Sequence, residues 1–175
     1  IGVFVLALLA PHLGEHVDHD RFRNEAPLTF SSGIIYGSAT PEGLMVCSAS
    51  FTGDGRKAIA AGKPVSTTRD ASRIIFFRDD ALWMRSMPEG REVKVFAPVF
   101  AEYDNAAISP TGDRIALVHG RAAARTLDII STASLARVWT TPLNGDWQDL
   151  RWVPDGSAVL VSGLLADRGN IWKFD

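Results

Sequence analysis

The chain has 175 residues, of which 46% are apolar and 22% charged, and its formal net charge is −2. That balance lies near the globular average and excludes a disordered or polytopic membrane chain, and so small a charge gives no broad electrostatic reason to expect nucleic acid as a partner. The single Cys47 excludes an internal disulfide framework and any multi-cysteine zinc site.

The first ten residues, IGVFVLALLA, are uncharged and apolar. They are too few to span a bilayer, which takes about 20 residues. Three readings stand side by side: the end of a membrane anchor, the core of a signal peptide, or a buried strand or short core helix. The stretch HLGEHVDHD that follows, at 12–20, gathers three of the four histidines and contains the H-x-x-E-H spacing of a zinc peptidase. That chemistry needs a helix held by a surrounding fold and a third ligand, and Gly14 weakens the helix. A calcium loop fails in the same segment, because Phe22 and Arg23 stand where its next ligand and its glycine belong. Residues 1–24 are therefore read as an apolar segment followed by a solvated, charged linker, with no metal and no cofactor assigned.

From residue 25 onward the chain is repetitive. SSGIIYGSATPEG is expected to supply the second strand and turn of a first unit. VSTTRDASRIIFFR, AAISPTGDRIALVH and LRWVPDGSAVLVSG then begin at 65, 106 and 150, spaced 41 and 44 residues apart. Each reads as a short strand, a tight turn and a run rich in branched or aromatic residues. LMVCSASF, LWMRSMP, LDIIS and IWKFD begin at 44, 82, 127 and 171, spaced 38, 45 and 44 residues apart. They supply a third strand per unit, and segments such as REVKVFA and RVWTTP a fourth. Four antiparallel strands in about 40–45 residues is the spacing of a propeller blade. One blade has two apolar faces and cannot bury both alone, so blades must stack. The expected fold is all-β, a partial β-propeller of three to four four-stranded blades at about 25–62, 63–102, 103–146 and 147–175, the last incomplete. An unclosed propeller leaves apolar faces and strand edges bare, which suggests a piece of a longer protein.

RWVPDGSAVLV and, less cleanly, AISPTGDRIALV resemble the W-S-P-D-G signature of TolB-like propeller repeats, relatives of the WD-type repeats. Trp152, Pro154, Asp155 and Gly156 carry the clearest copy, while Arg69, Asp70 and Ala71 replace the signature in the unit at 65. The resemblance covers residues 30–175. It implies a propeller and points to the bacterial periplasm or cell envelope. Related propellers also gate prolyl oligopeptidase-like peptidases and accompany membrane-anchored regulators, so the resemblance alone assigns no activity.

AAGKP at 60–64 fails as a phosphate loop, since Lys57 stands at the first glycine and Pro64 at the magnesium-binding hydroxyl. There is no G-x-S-x-G nucleophile elbow, and Cys47 reads as a small buried residue. Trp83, Trp139, Trp152 and Trp172 read as packing between blades. The links at 97–105 and 141–149 carry Phe100, Tyr103 and Trp147, and lie on one rim with loops holding Arg121, Arg125 and Arg168. Tyr103, Trp147, Arg121, Arg125 and Arg168 are the candidate surface for a protein, another macromolecule or a ligand. The competing reading has the aromatics covering blade interfaces and the charges facing water. The chain is thus expected to be a non-catalytic display module. The alternatives are the gating propeller of a serine peptidase and the sensor domain of a membrane-anchored regulator.

Overall fold

A computed structural model describes residues 33–87, 89–100, 104–121, 124–143, 146–165 and 168–175. The apolar start, the His-rich stretch and Tyr103 lie outside the described residues, as do the side chains of Asp146, Leu165 and Arg168. Among the described residues there are fourteen strands and no α-helix: β1 (Ile34–Thr40), β2 (Gly43–Ala49), β3 (Lys57–Ala61), β4 (Lys63–Thr67), β5 (Arg73–Arg78), β6 (Ala81–Ser86), β7 (Glu92–Phe96), β8 (Asn105–Ile108), β9 (Arg114–His119), β10 (Arg125–Ser131), β11 (Arg137–Leu143), β12 (Asp146–Trp152), β13 (Val159–Leu165) and β14 (Arg168–Phe174). They form four antiparallel sheets in simple sequence order, β1–β3, β4–β7, β8–β11 and β12–β14.

The four sheets are blades. β4 lies against β8 and β8 against β12, so the first strands line up around an axis and the fourth strands face outward. β3 passes into β4 through Gly62 alone, which makes β3 the outer strand of its blade and β1 and β2 its second and third. The third-strand repeat seen in the sequence accordingly falls on β2, β6, β10 and β14.

Burial follows the two-residue alternation of a strand covered on both faces. In β5, Ile74 and Phe76 join Val46, Ile59 and Ala60 of the first blade, while Ile75 and Phe77 join Ile115 and Leu117 of the third. The third blade repeats the pattern, with Ile130 turned to the second blade and Leu127 and Ile129 to the fourth. This is why RIIFF and RIALV read as unbroken apolar runs. Each such side chain contributes roughly 1.5–3 kcal/mol on burial.

The three turns between first and second strands share one geometry, although only two carry the signature glycine. Ala71, Gly112 and Gly156 donate their amides to the carbonyls of Thr68, Ser109 and Val153 at 3.0, 2.9 and 2.9 Å. All three residues are left-handed, with φ of 55°, 77° and 74°. The unit at 65 thus folds as its siblings do, with alanine held where L-residues are disfavoured by roughly 1–2 kcal/mol. Ala71→Gly is expected to raise stability, by up to about 1 kcal/mol once the extra freedom of the unfolded chain is subtracted. Gly112→Ala should lower it, because a Cβ there would stand 2.9 Å from Thr68 Cγ2. Urea midpoints of the two variants check both signs.

Asp70 and Asp155 fasten their turns in the same way, each accepting from the amide and hydroxyl of a serine two residues on, Ser72 and Ser157. Those amides, followed by the hydroxyl bonds, hold both carboxyls below the usual carboxylate range, and Thr111 and Ser109 do the same for Asp113. Their stabilisation is present above the ordinary carboxylate pKa and is lost as pH falls through the depressed values.

Candidate functional site

The links β3–β4, β7–β8 and β11–β12 emerge at the same end of the blades as the β5–β6, β9–β10 and β13–β14 hairpins. The pairing of Lys63 with Phe77 and of Asn105 with Val118 fixes this polarity. The β5–β6 hairpin turns on Asp79 and Asp80, both left-handed, and the Asp80 carbonyl accepts from the Val99 amide at 2.9 Å. At this rim a cavity of about 340 Å³ opens between the first strands of the second, third and fourth blades. Its polar wall comes from Lys63, Asp104, Asn105, Arg125, Gln148 and Asp149, and its floor from Val65, Phe77, Val118, Leu150 and Val161. β-Bulges interrupt the register between Pro64 and Ser66 and between Trp147 and Asp149. The bulged residues Val65 and Gln148 both line the cavity, in keeping with the use of bulges to re-aim side chains at sites.

Asp104 is the most unusual residue of this wall. It closes the β7–β8 link, its amide donating to Phe100 O at 2.8 Å and its Oδ2 accepting from Phe100 N at 2.6 Å. The residue is only 7% exposed, and its Oδ1 has no hydrogen-bond partner. Burial pushes its carboxyl up, against weaker opposing pulls from the Phe100 amide, His119, the Gly120 amide and Arg125. A carboxyl whose folded pKa lies above its unfolded one costs stability at neutral pH, and that cost fades as pH falls through the raised value. Asp104→Asn can still accept from Phe100 N. It is expected to melt a few degrees higher at pH 7, the shift that about 1 kcal/mol produces in a chain of this size. The gain should vanish below about pH 3.9, where the carboxyl is neutral in both states. Thermal denaturation at the two pH values checks it.

The sequence-predicted residues divide. Arg121 stacks its guanidinium over the Phe100 ring at 4.2 Å, above the turn that Asp104 closes. Arg125 lines the cavity and donates from Nη1 to the Trp147 carbonyl at 3.1 Å. Trp147 is 9% exposed and meets Trp172 edge-on at 4.4 Å between the third and fourth blades. Its Nε1 is buried without a hydrogen-bond partner, although the residue borders the cavity. Arg168 opens β14, and Tyr103 lies outside the described residues. The second link is shorter than the sequence suggested: β11 runs to Leu143 and β12 starts at Asp146. Pro142 is accommodated because β11 is an outer strand paired on one side only. Sequence reasoning passed over Asp104 altogether.

One further polar cluster resembles catalytic machinery and is not. His119 Nε2 lies 2.8 Å from Asp128 Oδ2 and 3.0 Å from Thr126 Oγ1. A hydroxyl–histidine–carboxylate relay needs its two partners on opposite ring nitrogens. Here both share one, so the hydroxyl cannot hand its proton through the ring. Asp128 also accepts from Thr140 Oγ1 and, at 3.3 Å, from Arg137 Nη1. It therefore ties β9, β10 and β11 together. On the opposite rim, Arg73 lines a second cavity, but its Nη1 donates to the Gly112 carbonyl and to Thr132 Oγ1, joining the second blade to the third.

Four antiparallel sheets stacked by both faces around their first strands define a partial β-propeller, and solved structures share this fold. TolB from Acinetobacter baumannii superposes with a TM-score of 0.66 at 17% identity, over 86% of this chain and 40% of that one. The β-propeller domain of the trilobed protease from Pyrococcus furiosus does so at 0.58 and 12% identity, over 82% and 50%. The acylaminoacyl peptidase of Pyrococcus horikoshii gives 0.60 and 14% identity, over 81% and 28%. At these identities the likeness is one of fold, and the chain spans half or less of each of these proteins. No family model matches the chain, and no curated protein matches it.

Proposed function

We propose that the chain is a non-catalytic propeller module of a longer cell-envelope protein, and that the cavity-bearing rim captures a protein partner. The observation that carries this reading is the partly polar cavity enclosed by first strands of three blades, with Arg121 and Phe100 stacked beside it. Pockets of this kind, apolar at the floor with a few convergent polar groups, are where binding concentrates. Arginine and tryptophan are the residues that dominate binding energy at protein interfaces. Tyr103 and Arg168 belong to the same proposed surface. The likeness to TolB, together with the repeat signature, supports the envelope setting.

The test compares capture from a cell-envelope extract of the source organism by the 175-residue chain and two variants. Tyr103→Ala/Arg121→Ala is expected to lose at least tenfold of a captured protein that Arg114→Ala, on the opposite rim, retains. The reverse pattern would place the binding surface on the wrong side. A second reading, the gating propeller of a serine peptidase, is favoured by the likeness to the acylaminoacyl peptidase. A G-x-S-x-G hydrolase domain in the same full-length polypeptide would select it.

A further inference from the structure

Arg73 is tied to its neighbours through one nitrogen and by none of its charge. Nη1 donates to the Gly112 carbonyl and to Thr132 Oγ1, which uses both of its hydrogens. Thr132 Oγ1 in turn donates to the same carbonyl at 2.7 Å, so the guanidinium is fixed in orientation. Both acceptors are neutral, and no carboxylate of the described residues pairs with the side chain. Nε and Nη2 have no partner among the described residues either, and, unlike Nε of Arg85, they are not shut off from solvent. The side chain is half-buried and lines the second cavity, of about 600 Å³, where the second blade meets the third.

The open edge of the guanidinium selects the guest. Nε–H and one Nη2–H run parallel, the fork that takes two oxygens of a carboxylate or a phosphate. A guanidinium partly out of water and without a counter-charge favours an anion. The other charges of the wall offset each other: Arg114 Nε lies 3.6 Å from Asp113 Oδ2, and Asp113 Oδ1 accepts from Ser109 and Thr111. One positive charge is left to match, which fits a monoanion better than a phosphate dianion. Ser131, in the same wall, accepts from the Ser134 amide at 3.5 Å and has its own hydroxyl proton to give. Ala133 and Val138, both exposed, supply an apolar side.

We propose that this cavity binds a carboxylate, seated on the Nε–Nη2 edge of Arg73. The Ser131 hydroxyl is the further donor, and Val138 meets the aliphatic group that carries the carboxylate. The volume lies within the range of ligand pockets. The carboxy terminus of a peptide and a small free acid share this chemistry. The site is on the rim opposite the proposed capture surface and rests on none of that reading.

The experiment is a nuclear magnetic resonance titration of the full chain at pH 7 with N-acetyl-Ala-Ala-Ala, its carboxy-terminal amide, propionate and inorganic phosphate. The tripeptide acid should bind at least tenfold more tightly than the amide, with shifts centred on the amides of Arg73, Ser131 and Thr132. Arg73→Lys keeps the charge but loses the fork, and should weaken binding roughly tenfold. Ser131→Ala should weaken it several-fold. Near-ultraviolet circular dichroism shows that each variant is folded, and Ser131→Ala decides if Arg73→Lys is not. Tighter binding of the tripeptide acid than of propionate assigns a peptide terminus, and equal binding a small acid; either supports the carboxylate site. Equal binding of acid and amide, tighter binding of phosphate than of both carboxylates, no binding by the wild type, or full affinity in the folded variants overturns it. The capture reading stands or falls separately, on Tyr103→Ala/Arg121→Ala.

Discussion

Asp128→Ala is expected to destabilise the protein by about 3 kcal/mol, the scale for removing one partner of a buried, hydrogen-bonded charge. The carboxylate is fully buried, yet it is bonded by three side chains from the two neighbouring strands: His119 of β9, and Thr140 and Arg137 of β11. Truncation removes the acceptor of the Thr140 hydroxyl and leaves the His119 ring with Thr126 alone. Asp128→Asn keeps the shape and one acceptor oxygen, and should cost less. Urea unfolding of both variants, at constant slope, gives the two values. A loss under 1 kcal/mol for the alanine variant would mean that the network contributes little and that water replaces it.

Phe76→Ala should be at least as damaging, by about 3–5 kcal/mol for a buried phenylalanine. The ring is 0% exposed and packs with Val46, Ile59 and Ala60 of the neighbouring blade. It fits so closely that a Cβ on Gly62 would stand 2.9 Å from it. The effect should also be directional, because each blade is stabilised through its neighbours. Amide exchange should accelerate in β1–β3 more than in β12–β14, where no Phe76 contact is made. Uniform acceleration throughout would mean that the sheets unfold as one unit.

The blades were legible in the sequence because two-sided burial leaves a plain trace. RIIFF and RIALV carry no polar interruption, and the turns before them carry Asp, Gly or Ser at fixed offsets. Even the degenerate turn at 69–72 kept the serine that Asp70 needs. Strand ends were less legible. Pro142 reads as a break in a sequence, whereas on an outer strand its missing N–H costs nothing. Trp147 was read within a link, and it lies in β12 against Trp172.

The site was legible only in outline. Aromatics near arginines mark a rim, and Arg121 does stack on Phe100 there. Asp104 carries no such mark, since one aspartate in a loop is ordinary until the fold takes it out of water. Asp128 did leave a signal that could have been used. It is the one charged residue within LDIIS, where both faces of the strand are covered, and a buried charge needs partners.

The alternate facing of adjacent core residues is the most direct test of the stacked-blade account, and methyl–methyl nuclear Overhauser spectra read it. Ile74 should show cross-peaks to Val46 and Ile59, and Ile75 to Ile115 and Leu117, with no exchange between the two sets. Cross-peaks from both isoleucines to one shared set of neighbours would contradict it.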